Sequence, residues 1–252
     1  MKRAWMVWTC VWLLAAGFTI ASTVAAQTPS PSSVAAGGKL YDKWWKAVPG
    51  VKEPVGDHPL WATQTTNKRT GLDTWRCKEC HGWDYKGKDG AYGSGSHKTG
   101  FPGLMAAQAK SVDQLKAILK GSTNPNHNFS TALDETALTN LATFLKGGLL
   151  DLSTAIDAKG KKPVKADAAR GQQLSVICTA CHGPDGKKLN FGKPDDPEYV
   201  GTIAKDNPWE FLHKVRVGQP GADPVMPAGV EMGWSLQDML DILAYSQTLP
   251  EK

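Results

Sequence analysis

The sequence has no cysteine to spare. Of 252 residues five are cysteine, and four of them, Cys77, Cys80, Cys178 and Cys181, are consumed by two short motifs. The fifth, Cys10, lies in an apolar N-terminal stretch with the character of a removable signal and leaves with it. After that removal no disulfide can form, although an oxidising compartment would allow one, and no free thiol is left to act as nucleophile or iron ligand. A strong charge excess is missing as well. The 29 Lys and Arg exceed the 24 Asp and Glu by five, and Lys2 and Arg3 go with the signal, leaving +3. Net charge therefore gives nucleic-acid binding no support. The spacing of a zinc ribbon, with its second Cys pair about 15 to 20 residues after the first, is also absent. Here the pairs start 101 residues apart (178 minus 77).

What is present is the pentapeptide Cys-x-x-Cys-His, twice: Cys77-Lys78-Glu79-Cys80-His81 and Cys178-Thr179-Ala180-Cys181-His182, each followed by Gly. This is the attachment pattern of c-type haem. Two thiols three positions apart share one face of a helical turn, where they can add to both vinyl groups of one porphyrin, and the adjacent histidine reaches the iron from that face. Two covalently bound haem c groups are expected, and their propionates would add about four negative charges.

The N-terminus reads as a secretory signal over residues 1–26: Met1-Lys2-Arg3, an apolar stretch from Ala4, and small residues ending at Ala25-Ala26. The protein is therefore expected in the periplasm, with membrane contact only if Ala4 to Ala26 is retained as an anchor. Residues 27–38 have the composition of a flexible leader. Residues 151–165 are the expected linker, because Asp157 to Lys165 carries Gly, Pro and four lysines without apolar periodicity. One motif falls on each side, in domains of 39–150 and 166–252.

Both sides repeat one order of elements. Ser111 and Gln114 form a capping-box pattern before Val112, Leu115, Ile118 and Leu119, and Asn207-Pro208 opens a helix bearing Phe211, Leu212 and Val215. Closing helices follow, from Asp134 to Lys146 and from Ser235 to about Gln247. The plan of helix, haem motif, loop, middle helix, ligand loop and closing helix resembles class I cytochromes c, over about residues 39 to 250. The resemblance implies an all-α fold of two tandem class I cytochrome c-like domains, each wrapped around one haem. Gly171 lies on the helix that, in that family, crosses the closing helix closely. The first half departs from the pattern. Lys68 to Trp75 is too broken for that helix, Gly37 to Trp45 matches better, and roughly thirty residues then stand inserted before Cys77.

The resemblance also implies a distal iron ligand from the loop before each closing helix. Met226, in a Met-Pro context 44 residues after His182, is the expected partner of His182, and its soft thioether would raise the potential. The first half has no Met-Pro. His127 stands 46 residues after His81 in the matching loop and is the expected ligand there, with His58, His97 and Met105 as rivals. His213 and Met239 read as structural residues.

Two six-coordinate irons leave no place for a substrate. The expected function is single-electron transfer between redox proteins, from a lower-potential bis-His haem to a higher-potential His/Met haem, either alone or as a subunit of a larger oxidoreductase complex. Lys86, Lys88, Lys187, Lys188 and Lys193 follow the motifs and would steer partners with acidic surfaces. The alternative is a di-haem enzyme with an open first iron, peroxidase-like or resembling thiosulfate dehydrogenases. The latter place a cysteine on one iron, and the mature chain has none to offer.

Overall fold

The computed structural model describes residues 29–252, and the signal expected over 1–26 lies outside the described residues. Among the described residues are nine α-helices and one two-stranded hairpin, so the all-α expectation holds. The first half contains α1 (Pro31–Ala47), α2 (Cys77–His81), α3 (Val112–Leu119) and α4 (Glu135–Gly147). The second contains α5 (Ala168–Leu174), α6 (Thr179–His182), α7 (Val200–Asp206), α8 (Pro208–Val217) and α9 (Leu236–Ser246). The hairpin joins β1 (Ile156–Asp157) to β2 (Lys162–Pro163).

Local sequence sets the helix starts. Ser111 accepts from Gln114 N–H while the Gln114 side chain accepts from Ser111 N–H, and Ser235 and Asp238 repeat this reciprocal cap. Asp134 caps α4, and Asn207 caps α8 with Pro208 in the first turn. A further short helix, α7, precedes α8 and lies outside the order of elements expected from the sequence.

Each half is built on one close helix crossing, α1 against α4 and α5 against α9. A Cβ on Gly37 would lie 2.1 Å from the Asn140 carbonyl oxygen, and one on Gly171 would lie 1.9 Å from that of Asp241. Only glycine lets these backbones meet.

The leader expected over 27–38 is, from Pro31 onward, the first half of α1. Ser30 accepts from Ser33 N–H, Pro31 suits the first turn, and Val34, Ala35, Gly37 and Gly38 are buried. The small residues that suggest flexibility are small because other backbone and side chains press on them. The stretch 151–165, expected as a linker, is packed structure: Leu152 and Ile156 are core residues of the second half, and Val164 N–H bonds to the Ala155 carbonyl at 2.9 Å.

The halves meet along a polar seam. Asp42 of α1 is fully buried and ion-paired to Arg76, which precedes the first motif, and to Lys214 of α8. Burial alone would raise its pKa, but the Lys214 and Arg76 charges outweigh this and hold the carboxyl well below the usual range. His213 of α8 donates from Nε2 to the Gly38 carbonyl at 3.0 Å and accepts at Nδ1 from the Tyr85 hydroxyl at 2.8 Å. It is the satisfied structural histidine that the sequence suggested. Arg216 donates to the Gly148 carbonyl, and Val217 is buried in the first half's core.

Candidate haem sites

The two motifs fold alike. Each forms a short helix stopped by a positive-φ glycine, Gly82 at φ 78° and Gly183 at φ 77°. After each histidine the chain turns back in the same way: Gly87 N–H bonds to the His81 carbonyl at 2.9 Å, and Lys188 N–H to that of His182 at 3.0 Å. An aspartate three residues past each histidine accepts the N–H two residues further on, Asp84 from Lys86 at 3.2 Å and Asp185 from Lys187 at 3.0 Å. Sequence identity between the halves is low, yet this turn is the same.

The first site is enclosed. His81 donates from Nδ1 to the Pro102 carbonyl at 2.8 Å, which leaves Nε2 as the bare nitrogen. His127, on the loop between α3 and α4, faces it with ring centres 6.4 Å apart and planes at 82°. Two imidazoles sharing one metal, with metal–nitrogen bonds of about 2.0 Å and about 1.1 Å from each nitrogen to its ring centre, stand about 6.2 Å apart. The observed separation fits that requirement. The Pro102 carbonyl thus fixes the orientation of the His81 ring. Burial pushes His81 down to about 4 and lowers His127, which keeps both neutral at pH 7, the form that binds metal. Burial likewise pushes the Cys77 thiol up to about 12 and Cys80 higher still. These are quiet, apolar thiols rather than activated nucleophiles.

The other candidate ligands near the first motif separate by position. His97 is engaged elsewhere: its Nδ1 lies 3.3 Å from Glu79 Oε1, its Nε2 lies 3.3 Å from Arg69 Nη2, and its ring stacks on Tyr92 at 4.4 Å. Met105 begins a single turn, Met105–Ala109, packed against the first core before α3. His58 comes closer, with its ring 6.3 Å from that of His127. Glu79, inside the motif itself, is a fully buried carboxylate held by Lys78, Arg69, Asn67 and His97. Sequence reasoning passed over it, although a Lys-Glu pair between two cysteines was a visible oddity.

The second site is open. Cys181 is exposed and Cys178 half-buried, and burial lowers His182. Its Nδ1 is buried without a partner, and its ring meets Phe191 at 5.8 Å. Of nine exposed large apolar residues among those described, six flank this motif and its ligand loop: Val176, Ile177, Leu189, Phe191, Val225 and Met232. An apolar display around a half-buried histidine suits a porphyrin face. Met226 sits half-buried in the loop between α8 and α9, whose far end is tied back by Gly229 N–H to the Val215 carbonyl at 2.9 Å and Val230 N–H to that of Arg216 at 3.0 Å.

The chain is 31% identical over 107 residues to cytochrome c4 of Azotobacter vinelandii, an alignment covering 38% of this chain and 48% of that protein. It thus spans about half the length of this curated relative. No protein-family profile and no solved structure matches it.

Proposed function

We propose that this chain is a periplasmic di-haem c-type cytochrome that carries single electrons between redox proteins. The observation that supports it most is the placement of the His127 ring 6.4 Å from that of His81, whose imidazole is oriented by the Pro102 carbonyl. Cys77 and Cys80 would hold one haem c, with His81 and His127 as axial ligands, and Cys178 and Cys181 the other, with His182 and Met226. The haems supply reversible one-electron chemistry, and the protein fixes ligand identity, orientation and access. With both axial positions filled at each iron, no substrate site remains. Similarity to a protein named cytochrome c4 supports the same class. No helix among the described residues is long and apolar enough to cross a membrane.

The first haem, with two nitrogen ligands, takes the lower potential, and the second, with a thioether, the higher. Electrons then run from the first half to the second. The seam favours transfer within the molecule: Trp83, two residues past His81, meets His213 of α8 at 4.9 Å. Partner contact falls to the open second site. Lys187 lies over the Tyr199 ring and Lys188 reaches the Ala180 carbonyl beside Cys181, placing positive charge near the haem edge for an acidic partner. Lys86, in contrast, is paired with Asp151 at 2.8 Å.

Optical and electron paramagnetic resonance spectra of the oxidised protein test this reading. Two low-spin signals and a weak methionine-to-iron band are expected, with two separate potentials on titration. A high-spin signal in the native protein would overturn it in favour of an enzyme with an open iron.

A further inference from the structure

The segment between α1 and α2 is where the first half departs furthest from the second, and it is a built loop. His58 N–H donates to Thr74 Oγ1 at 2.8 Å, Thr74 Oγ1 donates to the Gly71 carbonyl at 2.7 Å, and Gly71 N–H is held by Asp57. The Trp61 indole N–H donates to the Arg69 carbonyl at 2.8 Å, and Trp75 Nε1 to that of Gly56 at 2.9 Å. The loop is fastened to the haem motif through Glu79, whose Oε1 receives Asn67 Nδ2 and Arg69 Nε, each at 3.2 Å. What this construction delivers is His58, buried, with its ring 4.6 Å from Trp75, 5.8 Å from Phe129 and 6.3 Å from His127.

The tautomer of His58 is set by its own turn. Leu60 N–H donates to His58 Nδ1 at 3.2 Å, so the neutral ring carries its proton on Nε2. Iron takes an unprotonated nitrogen. To ligate through Nε2, His58 would have to move its proton to Nδ1 and give up the Leu60 bond.

We propose that His58 is a hydrogen-bond donor on the His127 side of the first haem rather than an iron ligand, so that this haem accepts a small anion whenever His127 is off the iron. The inference rests on the reading of His81 and His127 as the axial pair. The ligand class is a small anion that binds iron through one atom and accepts a hydrogen bond at another, and azide is the probe.

The experiment uses the haem-loaded full chain. In the oxidised His127→Ala protein one haem is expected to become high-spin and to bind azide. Adding His58→Phe is expected to weaken azide by roughly tenfold or more, the loss of one hydrogen bond to a charged ligand. His58→Gln, which keeps an N–H donor, should retain most of the affinity, a rescue that a merely structural role would not give. Equal azide affinity with and without His58 overturns the inference while leaving the axial pair intact. A low-spin His127→Ala protein that turns high-spin only when His58 is also removed overturns it by making His58 a ligand. A high-spin signal in the native protein overturns the axial pair itself.

Discussion

The two haem motifs occupy matching frames but have different covers. Both halves cross two helices at a glycine, stop the motif with a positive-φ glycine and turn back over an aspartate. Around the first motif, residues 49–76 add Trp61, Trp75 and His58, and Glu79 binds this layer to the motif. Around the second, apolar side chains and a cysteine face solvent. In the proposed carrier a shared frame would fix where each porphyrin and its proximal histidine go. What lies on the other side of the iron, and how much water reaches it, is decided by loops the frame does not constrain. In the proposed carrier this yields an insulated centre beside one that partners can touch.

The largest expected effect separates the two sites outright. Cys77→Ser with Cys80→Ser should lower covalent haem from two per chain to one by pyridine haemochrome assay, leaving the His/Met spectrum in place. If the remaining spectrum were bis-His, the ligand assignment of the halves would be reversed. Next, Gly171→Ala should destabilise the second half by about 2–4 kcal/mol in denaturant unfolding, because the added carbon meets backbone at 1.9 Å and neither helix can yield cheaply. Gly37→Ala should do the same to the first half. An effect confined to one half would break the claim of a common frame.

The seam should weaken with acid. Burial pushes His213 down to about 3, so the fold holds it neutral while the unfolded chain protonates it near 6.5. Below about pH 6.5 the unfolded state therefore binds more protons, and this contribution to stability is lost progressively as pH falls toward about 3. Asp42, whose pKa is depressed in the fold, adds a loss of the same sign below about pH 4. Thermal melting from pH 7 to pH 4 should show a falling midpoint, and His213→Gln should flatten the upper part of that fall. The smallest structural change sharpens the comparison of potentials. Met226→His should lower the second potential by on the order of 100 mV toward that of the first, read by redox titration with little change in fold.

Much of this was legible in the sequence, for identifiable reasons. The motif residues and the capped helices after Ser111, Asp134, Asn207 and Ser235 follow from local chemistry with few alternatives, while the close crossing at Gly171 came from the resemblance to class I cytochromes c. Composition misled where smallness had a tertiary cause. Gly37 and Gly38 fell in the expected leader as well as at the start of the expected Gly37 to Trp45 helix, and Asn140 and Val217, far along the chain, press against them. The 151–165 stretch looked like a linker because its lysines hide the two residues, Leu152 and Ile156, that anchor it. Glu79 and His58 gain their meaning from partners 10 or more residues away, which no window of sequence displays.

The contact between His213 and Gly38 spans 175 residues of chain, and Val217 completes a core whose other fully buried members end at Leu149. During synthesis the N-terminal half emerges before the residues that finish it exist. It must wait with the α1 seam exposed until α8 arrives, which makes assembly slow and dependent on long-range closure. Cutting the gene between the halves would therefore not release two small independent proteins, and the first fragment would carry an unfinished edge at Gly38, Tyr41 and Trp83 prone to self-association.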